Sequence, residues 1–98
     1  MNTSVITKVE SEFDDVYRIT TKDGLIIDIY EEKRPEIGTI FEYEINANNN
    51  SSTIMNGIVF SSSSNDTIQA SFGGFLATVP ACSLSVGSPI TIVYNLKN

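Results

Sequence analysis

The fold is decided by residues 15–30, which read DVYRITTKDGLIIDIY. Two runs rich in β-branched and aromatic residues flank a Lys-Asp-Gly segment, which is the pattern of a β-hairpin. A two-residue Asp-Gly turn competes with a three-residue loop that holds Gly24 in the left-handed conformation. The shorter turn sets Ile19 against Asp28, so side-chain matching favours the longer loop. The register predicted from that loop pairs Tyr17 with Ile29, Arg18 with Asp28 and Ile19 with Ile27.

Short stretches of alternating apolar and polar residues continue on both sides of this hairpin. No window of helical length sustains a 3.6-residue period. We predict eight strands, which are Ser4–Glu10, Asp15–Thr21, Leu25–Tyr30, Thr39–Asn46, Ile54–Phe60, Thr67–Phe72, Phe75–Val79 and Ile90–Leu96. Eight strands in 98 residues favour a closed barrel or a small sandwich, because closure removes exposed strand edges. We expect one all-β domain over residues 1–98, with the polar segment Asn46–Thr53 as a loop between two halves.

The charge balance limits the class of partner. Twelve Asp and Glu residues against six Lys and Arg give a formal charge of −6, which repels phosphate backbones and favours basic protein surfaces. We therefore expect no direct contact with nucleic acid. The N-terminus shows no signal-peptide pattern, the composition shows no membrane span, and the single Cys82 cannot form an internal disulfide. These features predict a protein that stays inside the cell and off the membrane.

The residues that carry chemistry in enzymes are poorly represented. The chain has no histidine, which excludes the Ser-His-Asp and Cys-His arrangements. Cys82 has no neighbouring base or cation in sequence, so we interpret it as a passive thiol. The acidic pairs Asp14-Asp15 and Glu31-Glu32 lack the spacing of a calcium loop and are interpreted as solvated strand ends. We predict no catalytic residue, no metal site and no cofactor.

The glycine pair Gly73-Gly74, between Phe72 and Phe75, fits neither a phosphate loop nor a dinucleotide fingerprint. It indicates either a tight turn or a place where a strand bends sharply or another backbone comes close. The second alternative leaves room for a partner segment. We therefore predict a partner interface at Phe72, Gly73, Gly74 and Phe75. A predicted acidic surface carrying Glu31, Glu32, Glu42 and Glu44 would meet basic partner groups.

Four stretches resemble, in order and spacing, the subunit 8 family of DNA-directed RNA polymerases of archaea and eukaryotes. They are Phe13–Ile19, similar to the family's F-D-x-V-x-R-L; Leu25–Ile29 with Pro35, Gly38 and Phe41 after it; Met55–Phe60, similar to Y-G-K-V-Y; and Ala70–Leu76, similar to S-Y-G-G-L-L, followed by the closing strand Ile90–Tyr94. The likeness covers most of the chain. The short segment between the two halves makes the chain more similar to the archaeal branch.

The resemblance implies an OB-type, eight-stranded antiparallel β-barrel on the outside of the largest polymerase subunit. Such a subunit contributes no catalytic group to the nucleotidyltransferase complex and supports DNA-templated transcription indirectly. The archaeal likeness implies the cytoplasm as its compartment. The alternative hypothesis is a stand-alone OB-fold module that binds single-stranded nucleic acid. A third reading, a small enzyme or metal-binding domain using the carboxylates, lacks an assembled site in the sequence.

Overall fold

The structure is a computed structural model that describes residues 2–47, 52–63 and 65–97. These residues form eight strands, which are β1 (Asn2–Phe13), β2 (Val16–Thr21), β3 (Ile26–Tyr30), β4 (Ile40–Ile45), β5 (Thr53–Ser62), β6 (Ile68–Phe72), β7 (Phe75–Val79) and β8 (Pro89–Lys97). Neighbouring strands are antiparallel and close into one ring in the order β1-β2-β3-β7-β6-β5-β8-β4. The prediction of an all-β, barrel-like fold of eight strands is confirmed. The described residues include no helix of the length and apolarity that a membrane crossing needs.

The ring consists of two halves with the same internal order. In residues 2–45, β1, β2 and β3 form a meander, and β4 returns to pair with β1. In residues 53–97, β5, β6 and β7 form a second meander, and β8 returns to pair with β5. Each half is therefore a Greek key. The pairs β4–β8 and β3–β7 join the two halves into the closed ring.

The hairpin formed by β2 and β3 has the predicted register. Ile19 pairs with Ile27, and Arg18 pairs with Asp28. The Thr21 N–H donates to the Leu25 carbonyl at 2.9 Å, which leaves three residues in the loop. Gly24 has a φ of 97°, a left-handed conformation that glycine adopts without steric cost. The prediction of the longer loop is confirmed.

The largest difference from the predicted strand ends is in β1. It begins at Asn2 because residues 2–5 pair with β4, whereas residues from Ile6 onward pair with β2 on the opposite side. The single long strand β1 therefore pairs with two neighbouring strands, β4 and β2. In the predicted loop Asn46–Thr53, Thr53 is already part of β5, and residues 48–51 lie outside the described part of the chain.

The core fills the interior of the ring with side chains from all eight strands. At its centre the Phe41 ring stacks on Tyr94 with centroids 5.2 Å apart, and Tyr43 lies 5.8 Å from Phe41 in a tilted arrangement. Phe41 and Tyr43 come from β4, while Tyr94 comes from β8. This aromatic group therefore packs across one of the two joins between the halves. In β4, Phe41 and Tyr43 are buried in alternation, whereas in β8 the consecutive residues Ile92, Val93 and Tyr94 are all buried.

The other join, between β3 and β7, is short and is completed by a side chain. Main-chain pairing covers residues 26–27 and 77–78. Beyond them, the Asp28 carboxylate accepts a hydrogen bond from the Leu76 N–H at 2.9 Å. The same carboxylate accepts from the Arg18 guanidinium at 2.8 and 3.1 Å, and this contact raises the pKa of Arg18. A buried carboxylate needs such partners, and here they close the seam between the halves.

Candidate docking surface

The predicted interface residues lie in the hairpin that joins β6 to β7. Phe72 pairs with Phe75, so Gly73 and Gly74 form a two-residue turn. Their φ values of 67° and 104° match a turn type that strongly prefers glycine. A Cβ on either glycine would meet no described atom within 4 Å. Of the two alternatives left open by the sequence, the tight turn is correct.

The close backbone approach occurs instead at Gly57 in β5. A Cβ at this position would lie 2.2 Å from the carbonyl oxygen of Ser71 and 2.6 Å from Cδ2 of Phe72. The missing side chain lets the Phe72 ring fold over β5 and leaves that ring only 8% exposed. Sequence analysis included Gly57 only within the stretch Met55–Phe60. The available signal was an isolated glycine inside a strand pattern, which indicates a bulge or a close approach.

A surface depression of about 340 Å³ lies against this hairpin. Its most exposed aromatic residue is Tyr30, with 56% of its surface accessible. Phe75 is half-buried and packs against the core with one side. The depression is lined by uncharged residues, which are Tyr30, Thr53, Ile54, Met55, Asn56, Phe72, Phe75 and Tyr94. Two of the four predicted interface residues therefore line one concave, mainly apolar surface.

One side of β5 beside this depression has no partner strand within the described ranges. Residues 53–58 pair with β8, but the pairing of β5 with β6 begins only at Ile58. The main-chain groups of Thr53–Asn56 that point away from β8 therefore border the depression. We call Thr53–Asn56 the β5 edge. Unpaired N–H and C=O groups along such an edge are a template for an additional strand.

A second surface lies on the outside of the barrel, where Ile58, Ser71 and Leu76 stand side by side on β5, β6 and β7. Ile58 is 50% exposed and Leu76 is 42% exposed. Phe60, which lies at an irregularity in the β5–β6 pairing, is 49% exposed. We call Ile58, Phe60 and Leu76 the outer apolar face. Sequence analysis did not single out this face, because its residues are ordinary members of alternating strands.

The predicted acidic surface is divided between two places. Glu42 and Glu44 lie on β4, where the Glu42 carboxylate is 3.0 Å from the Lys97 ammonium group. Glu31 follows β3, and its side chain accepts a hydrogen bond from the Tyr94 hydroxyl at 3.1 Å. Several of these carboxylates are therefore already held by contacts within the chain.

Two acidic pairs of the chain lie close together beside Tyr30, which lines the depression. The Glu31 N–H donates to the Asp15 carbonyl at 2.9 Å, which brings the turn between β1 and β2 beside the segment that follows β3. We call this group the acidic rim, and it consists of Asp14, Asp15, Glu31 and Glu32. Both acidic pairs were interpreted from the sequence as solvated strand ends, and pairing across the fold places them side by side. Lys33 and Arg34 follow Glu32 directly, and the Arg34 guanidinium lies over the Tyr17 ring.

The first half covers the corresponding region with its longer hairpin loop. The Asp23 carboxylate accepts hydrogen bonds from the hydroxyls of Tyr43, at 2.7 Å, and of Thr21. Burial alone would raise the pKa of Asp23, but these hydrogen bonds lower it below its ordinary value. Burial, followed by the nearby Asp23 carboxylate, raises the pKa of Tyr43. Burial and then Glu31 raise the pKa of Tyr94 in the same way.

The remaining chemical candidates do not form a site in the part of the chain that the structure describes. Cys82 is half-buried against the core, and its N–H donates to the Asp66 carbonyl at 2.7 Å. No group of three Cys, Asp or Glu side chains within residues 2–47, 52–63 and 65–97 is arranged to hold a metal ion. The expectation of no catalytic, metal or cofactor site remains a prediction.

No protein-family model matches the sequence, and no curated protein matches it. The likeness to the polymerase subunit 8 family is therefore a resemblance carried by the four stretches of sequence.

Proposed function

We propose that the chain is a non-catalytic docking subunit that binds the largest subunit of an archaeal or eukaryotic-type RNA polymerase. The observation that carries the docking role is the outer apolar face, whose three large side chains are each about half exposed. The interior of the barrel is already filled by other residues, so these side chains are not needed for the core. A cluster of exposed apolar side chains on a small domain marks a protein-binding surface.

The choice of partner rests on where the resembling stretches lie. Met55–Phe60 belongs to β5, and Ala70–Leu76 forms the hairpin of β6 and β7. These two stretches contribute Ile58, Phe60 and Leu76, so they contain the whole outer apolar face. A barrel-like all-β fold also agrees with the architecture that the resemblance implies. The proposal includes the cytoplasm as the compartment, on the basis of the short archaeal form.

The distribution of charge supports docking through the second half. Apart from Asp66 and Lys97, every charged residue lies in residues 1–47, so that segment carries the entire net charge of −6. Phe60 and Leu76 line a depression together with Lys8, Glu10 and Arg18, so a partner that covers the outer apolar face must also offer groups that pair with these charges. The acidic first half attracts basic partner surfaces, which raises the rate of encounter and orients the approach.

Affinity purification of the tagged chain from its native cells tests this proposal. We expect the polymerase large subunits to copurify at gentle salt. The variant Leu76→Ser with Phe60→Ser removes most of the outer apolar face and is expected to lower the recovery of polymerase by at least about tenfold. Ile37→Ser is the matched control, because Ile37 is 69% exposed but lies in the loop before β4.

Recovery of the tagged chain without polymerase subunits would contradict the proposal. Equal recovery of polymerase by the double variant and by the control would show that the outer apolar face is not the docking surface. Binding of a labelled single strand at low salt, with a steep salt dependence, would support the nucleic-acid alternative instead.

A further inference from the structure

We propose that the β5 edge takes up an extended segment of the partner protein as an added strand, with an apolar side chain of that segment seated in the depression. This inference rests on the proposed docking role and names the form that the docking takes. Strand addition to an open sheet edge is a recurrent mode of peptide recognition, in which main-chain hydrogen bonds give affinity and side-chain pockets give specificity.

The β5 edge differs from its counterpart at the start of β1. In the first half, the Lys22 N–H donates to the Val5 carbonyl at 2.9 Å, and the Asp23 N–H donates to Ser4 Oγ at 3.3 Å. The three-residue loop of the β2–β3 hairpin therefore covers the start of β1. The β6–β7 turn is one residue shorter, and the described residues provide no equivalent cover for the β5 edge.

The two-residue period of side chains along a strand determines which of them face the depression. Alternate residues of an added strand face the same side, so every second side chain points toward the depression. Tyr30 and Phe75 offer aromatic surface there, and Met55 offers a flexible apolar side chain. A volume of about 340 Å³ has room for an aromatic or branched aliphatic side chain. The fitting segment therefore alternates apolar and polar residues.

Charge complementarity decides between a different protein and a second copy of this chain. The acidic rim lies beside Tyr30, which lines the depression, so the fitting segment carries Lys or Arg beside its apolar residues. A second copy of β5 contains no basic residue, and two chains of charge −6 repel each other. The geometry thus points to a basic-flanked, extended segment of a different protein.

Fluorescence polarisation with the labelled peptide Lys-Thr-Phe-Thr-Val-Thr-Lys tests the edge directly. We expect saturable binding that weakens as salt is added, because the acidic rim contributes. The variants Tyr30→Ala and Phe75→Ala are each expected to weaken binding at least about fivefold. Ile37→Ala is the control, because Ile37 is an exposed apolar residue in the loop before β4 and does not line the depression.

Two N-methylated forms of the peptide distinguish strand addition from simple apolar contact. Alternate N–H groups of an extended strand point to opposite sides, so one peptide is methylated on one set and the second peptide on the other. Strand addition requires that only one of the two loses binding. Hydrogen exchange gives a second readout, and we expect the amides of Thr53–Asn56 to become protected when the peptide is bound.

Several results would overturn the inference. These are equal affinities of the two methylated peptides, unchanged exchange at the β5 edge, absence of peptide binding, and self-association of the free chain that Tyr30→Ala abolishes. Peptide binding at the edge without copurifying polymerase would support the added strand and contradict the polymerase assignment. Copurification that is unchanged in Tyr30→Ala and Phe75→Ala would support the polymerase assignment and contradict the added strand.

Discussion

The two halves of the barrel share one topology but present opposite surfaces. A row of neighbouring side chains on the outside of the barrel runs through Glu10, Arg18 and Asp28 in the first half, and continues through Leu76, Ser71 and Ile58 in the second. The side chains of this row are charged in the first half and apolar or neutral in the second half. The contact between Asp28 and the Leu76 N–H marks the change. Along this row the first Greek key presents ionic contacts, and the second presents apolar or neutral side chains.

The halves also differ in how they cover the first strand of each meander. The β2–β3 loop reaches back to Ser4 and Val5, whereas the two-residue β6–β7 turn leaves the β5 edge open among the described residues. Tyr43 and Tyr94 occupy matching places, because Asn2 pairs with Tyr43 as Thr53 pairs with Tyr94. A difference of one loop residue thus separates an edge covered by its neighbouring hairpin from one without such cover among the described residues.

The same correspondence between the two halves explains why position 57 is glycine. Counting from Asn2 and Thr53, Gly57 stands where the first half has Ile6, a fully buried core residue. Ile6 pairs with the small Thr21, whereas the Gly57 position is covered by the large Phe72 ring. In the first half this part of the core is filled by Ile6 of β1, and in the second half it is filled by Phe72 of β6. This exchange keeps the core packed although the sequences of the halves differ.

The largest expected effect comes from removing the Asp28 carboxylate, which connects the two halves through the Leu76 N–H. Asp28→Ala leaves the Leu76 N–H without its acceptor and removes a partner of Arg18. We expect the free energy of unfolding to fall by about 2–3 kcal/mol, because the Leu76 N–H loses its acceptor in a partly buried hydrogen bond and Arg18 loses its bidentate partner. Urea-induced unfolding followed by circular dichroism measures this change.

Glu12→Ala is the control for the seam. Glu12 also contacts the Arg18 guanidinium, at 3.1 Å, but it lies on the solvent side. We expect a loss below about 1 kcal/mol for this variant. Equal losses for Asp28→Ala and Glu12→Ala would show that the contact with Leu76 does not hold the halves together.

A smaller effect is expected when a side chain is added at position 57, where the first half has Ile6 and the second half has the Phe72 ring. Gly57→Ala places a methyl group against the Ser71 carbonyl and the Phe72 ring, and overpacking of this kind costs about 2 kcal/mol. Thermal unfolding measures the loss. Ile58→Ala is the adjacent control, with an expected change within about 0.5 kcal/mol because Ile58 is half exposed. Full stability of Gly57→Ala would contradict the proposed exchange between Ile6 and Phe72.

The smallest expected effect concerns the acid sensitivity of the first half. The pKa of Asp23 lies below its ordinary value of 3.8 in the folded chain, so its carboxylate stabilises the fold at all pH values above that point. This contribution is lost as the pH falls through the lowered pKa. Because the loop is exposed, we expect it to be below about 1 kcal/mol.

Comparison of the wild-type chain with Asp23→Asn tests this prediction. We expect the wild-type chain to be the more stable at neutral pH and the difference to shrink at about pH 3, as measured by urea unfolding. The second half has no counterpart, since Gly73 and Gly74 replace the acidic loop. A difference that is constant with pH would assign the effect of the substitution to packing and not to the charge of Asp23.

Much of the fold was predictable from local sequence. Alternation with a period of two located all eight strands, and the chemistry of the Lys-Asp-Gly loop gave the register of β2 and β3 correctly. The same kind of reasoning ended one strand at Phe72 and began the next at Phe75, but it left open whether Gly73 and Gly74 form a tight turn. It did not identify the outer apolar face or the β5 edge, because each depends on strands that are distant in sequence.

The sequence by itself determined the strand positions, the first hairpin and the uneven distribution of charge, because these depend on composition, side-chain period and turn conformation. Only the tertiary structure decided which strand edge has no partner among the described residues, why position 57 is glycine and what Asp28 binds. Asp28 and Leu76 are 48 residues apart, and they meet only because the ring closes. Closure fixes the neighbours of each strand, and no local pattern contains that information.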